Sequence, residues 1–79
     1  MTIRTESSKA IIEAAKVSGM ILKTLRPIVD KDWMVDLDHG TNDPKAALLG
    51  FLSALFAADP TARVMVGKTW VDATTNLNR

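Results

Sequence analysis

The longest run of apolar positions in the chain lies in its middle. Residues 44–58 have the sequence PKAALLGFLSALFAA, with no charged residue after the lysine. Asp43 is a residue type favoured at a helix N-cap, and Pro44 suits the first helical position. Asp59 precedes a proline, which disfavours helical geometry at that residue. The pattern predicts a helix over residues 44–58 that is buried on most of its sides.

A second helical pattern occupies the N-terminal third of the chain. Thr5 or Ser7 can cap this helix, and Pro27 disfavours helix at Arg26. At about 100° per residue, apolar side chains share one face and charged side chains the other. The apolar face holds Ile11, Ala14, Ala15, Ser18, Ile21, Leu22 and Leu25, and the charged face holds Glu6, Lys9, Glu13, Lys16 and Lys23. We expect one helix ending near Arg26, in which Gly19 allows another element to pack closely.

Strand patterns follow each of these predicted helices. Residues 27–30 predict a turn. Residues 32–38, DWMVDLD, predict a strand with one apolar face, because Trp33, Val35 and Leu37 alternate with Met34, Asp36 and Asp38. A loop at residues 39–42 then leads to the helix predicted over residues 44–58. Residues 62–73, ARVMVGKTWVDA, then predict a hairpin that turns at Gly67 and Lys68.

The predicted hairpin has two chemically different faces. Its register pairs Val66 with Thr69, Met65 with Trp70, Val64 with Val71 and Arg63 with Asp72. One face therefore carries valines, and the other carries Arg63, Met65, Trp70 and Asp72. Because interface centres favour Trp, Met and Arg, the second face is a candidate protein-binding surface if the helices cover the valines. In the reverse arrangement Met65 and Trp70 belong to the core, and the pattern does not decide between the two.

These elements predict a single α+β domain over residues 1–79. The order is α-β-α-β-β, with two helices on one face of a three-stranded, mainly antiparallel sheet, and with residues 1–4 and 75–79 frayed. Two layers cannot cover every side of the second helix. We therefore expect Leu49 and Phe56 to lie at the interface of a homodimer, which would also supplement the small core of so short a domain.

Composition narrows the classes of function. The chain is 47% hydrophobic and 24% charged, as a folded domain should be, and its formal net charge is only +1. It contains no cysteine, which excludes a disulfide framework and a thiolate metal site. The N-terminus lacks the apolar core of a signal peptide, and the apolar helix is shorter than the roughly 20 residues that span a bilayer. We expect a cytoplasmic protein without membrane contact.

Candidate chemistry is sparse in this sequence. Asp36, Asp38, His39 and Asp43 form the one group of potential metal ligands or acid–base residues, and Asp43 is already the predicted cap of the helix. Without a second histidine, Asp36, Asp38 and His39 indicate a solvated strand edge more than a metal-dependent enzyme. Residues 67–69, GKT, match the end of a phosphate-binding loop, yet Ala62 replaces its first glycine and no helix pattern follows. We expect no bound metal, no cofactor and no enzymatic activity.

A basic stripe offers one alternative partner. Lys9, Lys16 and Lys23 recur every seven residues and would line one face of the first helix, where they could contact the phosphates of a nucleic acid. Glu6 and Glu13 lie among them and weaken this binding. The favoured hypothesis is a non-enzymatic protein-interaction module, a homodimer that docks on a larger protein as a regulator, inhibitor or assembly factor. A small nucleic-acid-binding regulator is the alternative.

Overall fold

The computed structural model describes residues 1–40 and 43–75, which form an α+β domain with two helices and one antiparallel sheet. In chain order the elements are β1 (Thr2–Arg4), α1 (Ser8–Ser18), β2 (Met20–Val29), β3 (Asp32–His39), α2 (Pro44–Ala58), β4 (Arg63–Val66) and β5 (Thr69–Val71). The sheet has five strands instead of the expected three, in the order β2-β3-β1-β4-β5.

The connectivity places both helices on one side of the sheet. The units β1-α1-β2 and β3-α2-β4 each leave room for another strand between their two strands, which is the split arrangement of a β-α-β-β-α-β motif. The helices contact each other, and the core lies between them and the sheet. Its fully buried large side chains are Ile3, Ile11, Val35, Phe51, Leu52, Leu55 and Val64.

The apolar helix is confirmed with its predicted bounds. The Asp43 carboxylate accepts a hydrogen bond from the Ala46 N–H at 3.0 Å, which satisfies one amide of the first turn. At the other end, the Asp59 N–H donates to the Leu55 carbonyl at 2.8 Å, and the chain then leaves in an extended conformation. Local capping chemistry therefore sets both ends of α2.

The prediction for the first helix is wrong in its C-terminal half. Helix α1 ends at Ser18, and Gly19 follows with φ of 72°, a left-handed conformation in which its N–H donates to carbonyls of the last turn. A Cβ on Gly19 would meet nothing within 4 Å, so this glycine ends the helix and does not serve close packing. The buried positions Ile11, Ala14 and Ala15 agree with the predicted apolar face.

Residues 20–29 form a strand although their apolar spacing is typical of a helix. The pairing of β2 with β3 shifts between Leu22 and Thr24, so an extra residue enters β2 there. Leu22 and Leu25 consequently point to the same side of the sheet while lying three residues apart. The predicted turn at residues 27–30 is wrong for its first three residues, which belong to this edge strand, and the chain reverses only at Asp30, where φ is 53°.

The N-terminus, expected to fray, forms the central strand. Ile3 is fully buried and pairs with Trp33 of β3 on one side and Val64 of β4 on the other. The terminal amine of Met1 donates to the Val35 carbonyl at 2.9 Å, and the Val35 N–H donates to the Met1 carbonyl at 2.8 Å. A strand of three residues is too short to show a periodicity of its own, so the sequence offered no local signal for it.

The remaining strand predictions are confirmed. In β3, Val35 is buried and Trp33 and Leu37 pack against the core, whereas Met34 is exposed. The β4–β5 hairpin has the predicted register, with Val66 opposite Thr69, Met65 opposite Trp70 and Val64 opposite Val71. Gly67 adopts φ of 64° in its turn, as a tight hairpin requires. Of the tail, Thr75 donates its N–H to the Asp72 carbonyl, and residues 76–79 lie outside the described part of the chain.

The wider sheet changes the expectation for the second helix. Phe56 is only 9% exposed within a single copy and belongs to the core, while Leu49 is half-buried. Phe56 therefore needs no second copy to be covered, and the placement of Leu49 and Phe56 at a dimer interface stays a prediction. Within the described residues, no helix is long and apolar enough to cross a membrane.

Candidate functional site

One side of the sheet is covered by neither helix, and we call it the open face. Side chains alternate along each strand, so the positions between the buried Ile3, Val35 and Val64 and their neighbours point away from the helices. Following the strand register, the open face comprises Thr2, Arg4, Ile21, Thr24, Arg26, Val29, Asp32, Met34, Asp36, Asp38, Arg63, Met65 and Trp70.

A continuous row of side chains crosses the open face from edge to edge. The register places five residues side by side, one from each strand, and we call them the central row: Arg26, Met34, Thr2, Met65 and Trp70. Met34 is 42% exposed and Trp70 is 36% exposed, while Met65 is half-buried. Large apolar side chains thus lie together at a surface that water reaches in the single copy.

Arg4 lies next to this row and contacts two neighbours. Its Nε and Nη2 donate to the Asp32 carboxylate at 2.7 and 3.3 Å, a two-point contact between adjacent strands. Its guanidinium carbon also lies 4.8 Å from the centroid of the Trp70 ring. The hydrogen bond and charge of Asp32 raise the pKa of Arg4, and Arg4 lowers the pKa of Asp32. The contact holds the Trp70 ring against the Arg4 guanidinium.

Two other arginines of the open face, Arg26 and Arg63, differ from Arg4 in their contacts. The Arg26 guanidinium donates to the Met34 sulfur at 3.4 Å, and Arg63 lies beside Arg4 across the β1–β4 pair. Among residues 1–40 and 43–75, neither Arg26 nor Arg63 forms an ion pair within 4 Å. Each can therefore bind an acceptor or an aromatic ring supplied from outside.

The structure brings most of the predicted binding residues together. Arg63, Met65 and Trp70 lie on the open face, and the valines opposite them face the helices, so Val64 and Val71 are buried. Asp72 follows β5, and its carboxylate accepts hydrogen bonds from the N–H and hydroxyl of Thr74 at 2.9 and 2.6 Å. These bonds lower the pKa of Asp72 and hold its side chain in a local turn.

Sequence reasoning did not identify three of the five central-row residues as binding residues. Arg26 and Thr2 come from strands that were not predicted, and Met34 was placed correctly but without neighbours. Only the strand order shows that these residues lie in one row with Met65. A signal was present in Met34, because its exposed position in a half-buried strand is unusual for a large apolar side chain.

The basic stripe expected on the first helix does not form. Lys9 and Lys16 lie on α1, but Lys23 lies on β2, so the three lysines do not share one helix face. The Lys16 Nζ lies 3.9 Å from a Glu13 carboxylate oxygen, and the Lys23 Nζ lies 3.6 Å from an Asp38 carboxylate oxygen, so both form ion pairs within the chain. The prediction of a phosphate-tracking helix face was wrong because the helix ends before Lys23.

The acidic residues of β3 are also separated. Asp36 and Asp38 point to the open face, whereas the alternation of the strand directs His39 to the other side. Within the described residues, no group of three or more His, Cys, Asp or Glu side chains could hold a metal ion. Residues 67–69 form a hairpin turn and its first strand position, which cannot cradle a phosphate as a helix N-terminus does.

An open cavity of about 290 Å³ is lined by Arg4, Thr5, Glu6, Lys31 and Thr61. The buried Thr5 hydroxyl donates to Asp59, which also accepts from the N–H and hydroxyl of Thr61. Lys31 pairs with Glu6 at 2.7 Å. The charges around this cavity are matched within the chain, so we assign these contacts to holding β1, α1 and the end of α2 together.

Comparison with protein-family models, curated proteins and solved structures gives no match. The function therefore has to be argued from the residues of the open face.

Proposed function

We propose that this chain is a non-enzymatic protein-interaction module that works through the open face of its sheet, acting as a small regulator, inhibitor or assembly factor for the protein it contacts. The central row carries this proposal, because it joins two methionines, a tryptophan and an arginine across five strands. These residue types are enriched at the centres of protein interfaces.

The restricted mobility of the central-row side chains gives further support to protein binding. Trp70 is held by Arg4, and Arg4 is held by Asp32, so the largest side chain has little freedom to lose when a partner binds. Arg26 rests on the Met34 sulfur and is likewise positioned. A preordered aromatic residue with flanking arginines is typical of the residues that dominate binding energy.

The charge of the open face favours a protein over a nucleic acid. Arg4, Arg26 and Arg63 share the face with Asp32, Asp36 and Asp38. Carboxylates on a surface repel phosphates and reduce the gain from counterion release. A mixed-charge surface with an apolar centre is suited to another protein surface of the same kind.

The experiment compares one open-face substitution with a matched substitution elsewhere. Met34→Glu places a charge in the central row, whereas Val17→Glu places the same charge on α1, where Val17 is 76% exposed and lies on the helical side. Both variants should fold. The proteins captured from the source cell by the wild type are identified, purified and tested for direct binding to each variant.

We expect Met34→Glu to weaken direct binding at least tenfold and Val17→Glu to leave it unchanged. Only the first variant replaces an apolar side chain of the central row with a carboxylate, which would also pair with the neighbouring Arg26 and withdraw it from the partner. Trp70→Ala should act like Met34→Glu. Equal binding by all variants would contradict the proposal, because the open face would then not be the contact surface. Retention on single-stranded DNA or RNA at physiological salt would favour a nucleic-acid partner instead.

A further inference from the structure

We infer that the open face binds a second copy of this chain, related to the first by a two-fold axis that runs parallel to β1. The inference rests on the proposed function for the choice of surface and goes beyond it by naming the occupant and the geometry. A larger partner that docks on the same face would have to displace the second copy.

The position of β1 makes such an axis possible. It is the third of five strands, so a two-fold rotation about a line above β1 exchanges β3 with β4 and β2 with β5. The strand register keeps the central row aligned under this rotation. Met34 of one copy then lies over Met65 of the other, and the two Thr2 residues, which are small, meet at the axis.

The same rotation provides partners for the two arginines without an ion pair. Arg26 of one copy comes over Trp70 of the other, where a cation and an aromatic ring attract each other. Trp70 stacks with Arg4 on one ring face only, and its remaining exposure allows a second contact. In the next row, Asp32 of one copy comes opposite Arg63 of the other.

Arg4 lies near the axis, where it approaches Arg4 of the second copy. Its charge is already matched by the two-point contact with Asp32 in each copy, so two neutralised pairs meet and not two bare cations. In these two rows Arg26 thus gains an aromatic ring, and Arg63 of one copy shares the Asp32 carboxylate of the other copy with that copy's own Arg4. This complementarity selects a second copy over an unrelated partner with a single sign of charge.

The other simple two-fold axis, which runs along the central row, is less favourable. It would place each central-row residue over itself, so Arg26 would meet Arg26. In the flanking rows it would bring Asp32 of one copy opposite Asp36 of the other, since these residues lie on either side of Met34 in β3. Opposed like charges are destabilising at an interface. The axis parallel to β1 avoids both contacts.

The size of the face is adequate for a specific dimer. A standard interface buries about 800 Å² per partner, and the single copy has an accessible surface of 5150 Å². The interface would therefore cover about a sixth of the accessible surface of each copy. The structure measures 34 × 26 × 23 Å along its principal axes.

Cross-linking tests the predicted pairing directly because the chain contains no cysteine. Met34→Cys and Met65→Cys variants are prepared separately, one with a mass tag, and treated with a short bifunctional thiol cross-linker alone and as an equal mixture. We expect the mixed dimer to form at least fivefold faster than either homotypic dimer. Val17→Cys serves as the control for random collision and should cross-link slowly in every combination.

Sedimentation of the wild type and of Met34→Glu completes the test. We expect the wild type to be dimeric at tens of micromolar and Met34→Glu to be monomeric at the same concentration. A monomeric wild type, or homotypic cross-links that equal the mixed one, would overturn the inference. If the dimer did not form but direct binding to a larger partner depended on Met34 and Trp70, the proposed function would stand and the dimer inference would fail. If the dimer formed and no other protein bound, the dimer inference would stand and the proposed function would fail.

Discussion

Arg4 and Trp70 stack across the sheet although a whole strand separates them. Arg4 belongs to β1 and Trp70 to β5, with β4 between, and the guanidinium carbon lies 4.8 Å from the ring centroid. The contact links the central strand to the shortest edge strand. It therefore stabilises the hairpin edge and orders the aromatic residue of the central row with the same interaction.

A double-mutant cycle should detect this contact in the free energy of unfolding. We combine Arg4→Met with Trp70→Leu and expect a coupling of about two- to fivefold in the unfolding equilibrium constant, as for exposed cation–π pairs. Urea denaturation followed by circular dichroism measures it. The control cycle pairs Arg63→Met with Trp70→Leu, because Arg63 makes no ring contact among the described residues. Equal couplings in the two cycles would show that Arg4 and Trp70 do not interact specifically.

Gly19 marks the point where helix changes to strand, and replacing it should be costly. Its φ of 72° lies in the left-handed region, while a Cβ there would meet no atom within 4 Å. We expect Gly19→Ala to lower the free energy of unfolding by about 1 kcal/mol through backbone strain alone, and Gly19→Asn by less. Thermal denaturation measures both changes.

Gly40 provides the control for that substitution. A Cβ on Gly40 would also meet no atom within 4 Å, but the φ of this residue lies outside the left-handed region. Gly40→Ala should leave stability unchanged or raise it slightly, because alanine restricts the unfolded chain. If both alanine variants behaved alike, backbone strain at Gly19 would not be what ends α1.

Elements with strong local signals could be predicted from the sequence. Helix α2 has a cap at Asp43, a long apolar run and a stop before Pro60, and each signal acts over a few residues. Strand β3 shows clean alternation, and the β4–β5 register follows from a turn at Gly67. In these cases local chemistry and the final fold agree, so the sequence is sufficient.

The two missed strands depend on other parts of the chain. Strand β1 is stable because β3 and β4 pair with its two sides, and three residues carry no pattern of that pairing. In β2, the irregularity after Leu22 reproduces a helical spacing at Leu25 and continues the apolar pattern of α1. Gly19 was the local signal that could have separated the two elements, since glycine is strongly favoured just past a helix end.

The candidate site was only partly predictable for the same reason. Met65 and Trp70 are neighbours within one hairpin, so their shared face follows from a short stretch of sequence. Whether that face is covered depends on which side the helices take, and its continuation to Met34 and Arg26 depends on the strand order. Long-range pairing, and not local propensity, assembles the central row.

Phe56 offers a test of where the second helix buries its apolar side chains. Because Phe56 is 9% exposed within one copy, Phe56→Ala should lower the free energy of unfolding by about 3 to 5 kcal/mol, as for a core phenylalanine. Leu49 is half-buried, so Leu49→Ala should cost about 1 kcal/mol. Urea denaturation measures both, and sedimentation reports association. If Phe56→Ala dissociated a dimer but unfolded at the same urea concentration as the wild type, Phe56 would lie at a dimer interface and not in the core.

Asp59 should make stability depend on pH in acid. The hydroxyl of buried Thr5 donates to its carboxylate, and Thr61 donates twice more, so the pKa of Asp59 is lowered in the folded protein. A group with a lowered folded pKa stabilises the fold above its unfolded pKa, about 4 for aspartate, and this contribution is lost as the pH falls through the lower folded value.

Thr5→Val removes the first of these donors while keeping the shape of the side chain. At pH 7 we expect the variant to lose about 1 to 3 kcal/mol, the value of a buried hydrogen bond to a charged group. The difference from the wild type should shrink below pH 4, because protonation of Asp59 weakens the same bond in the wild type. Urea denaturation between pH 2 and 7 measures the free energy of unfolding of both proteins.

Thr24→Val in β2 is the control, because the Thr24 hydroxyl makes no hydrogen bond within the described residues. Its free energy of unfolding should differ from that of the wild type by the same amount at every pH. A Thr5→Val curve that also stayed parallel would mean that Thr5 does not act through Asp59.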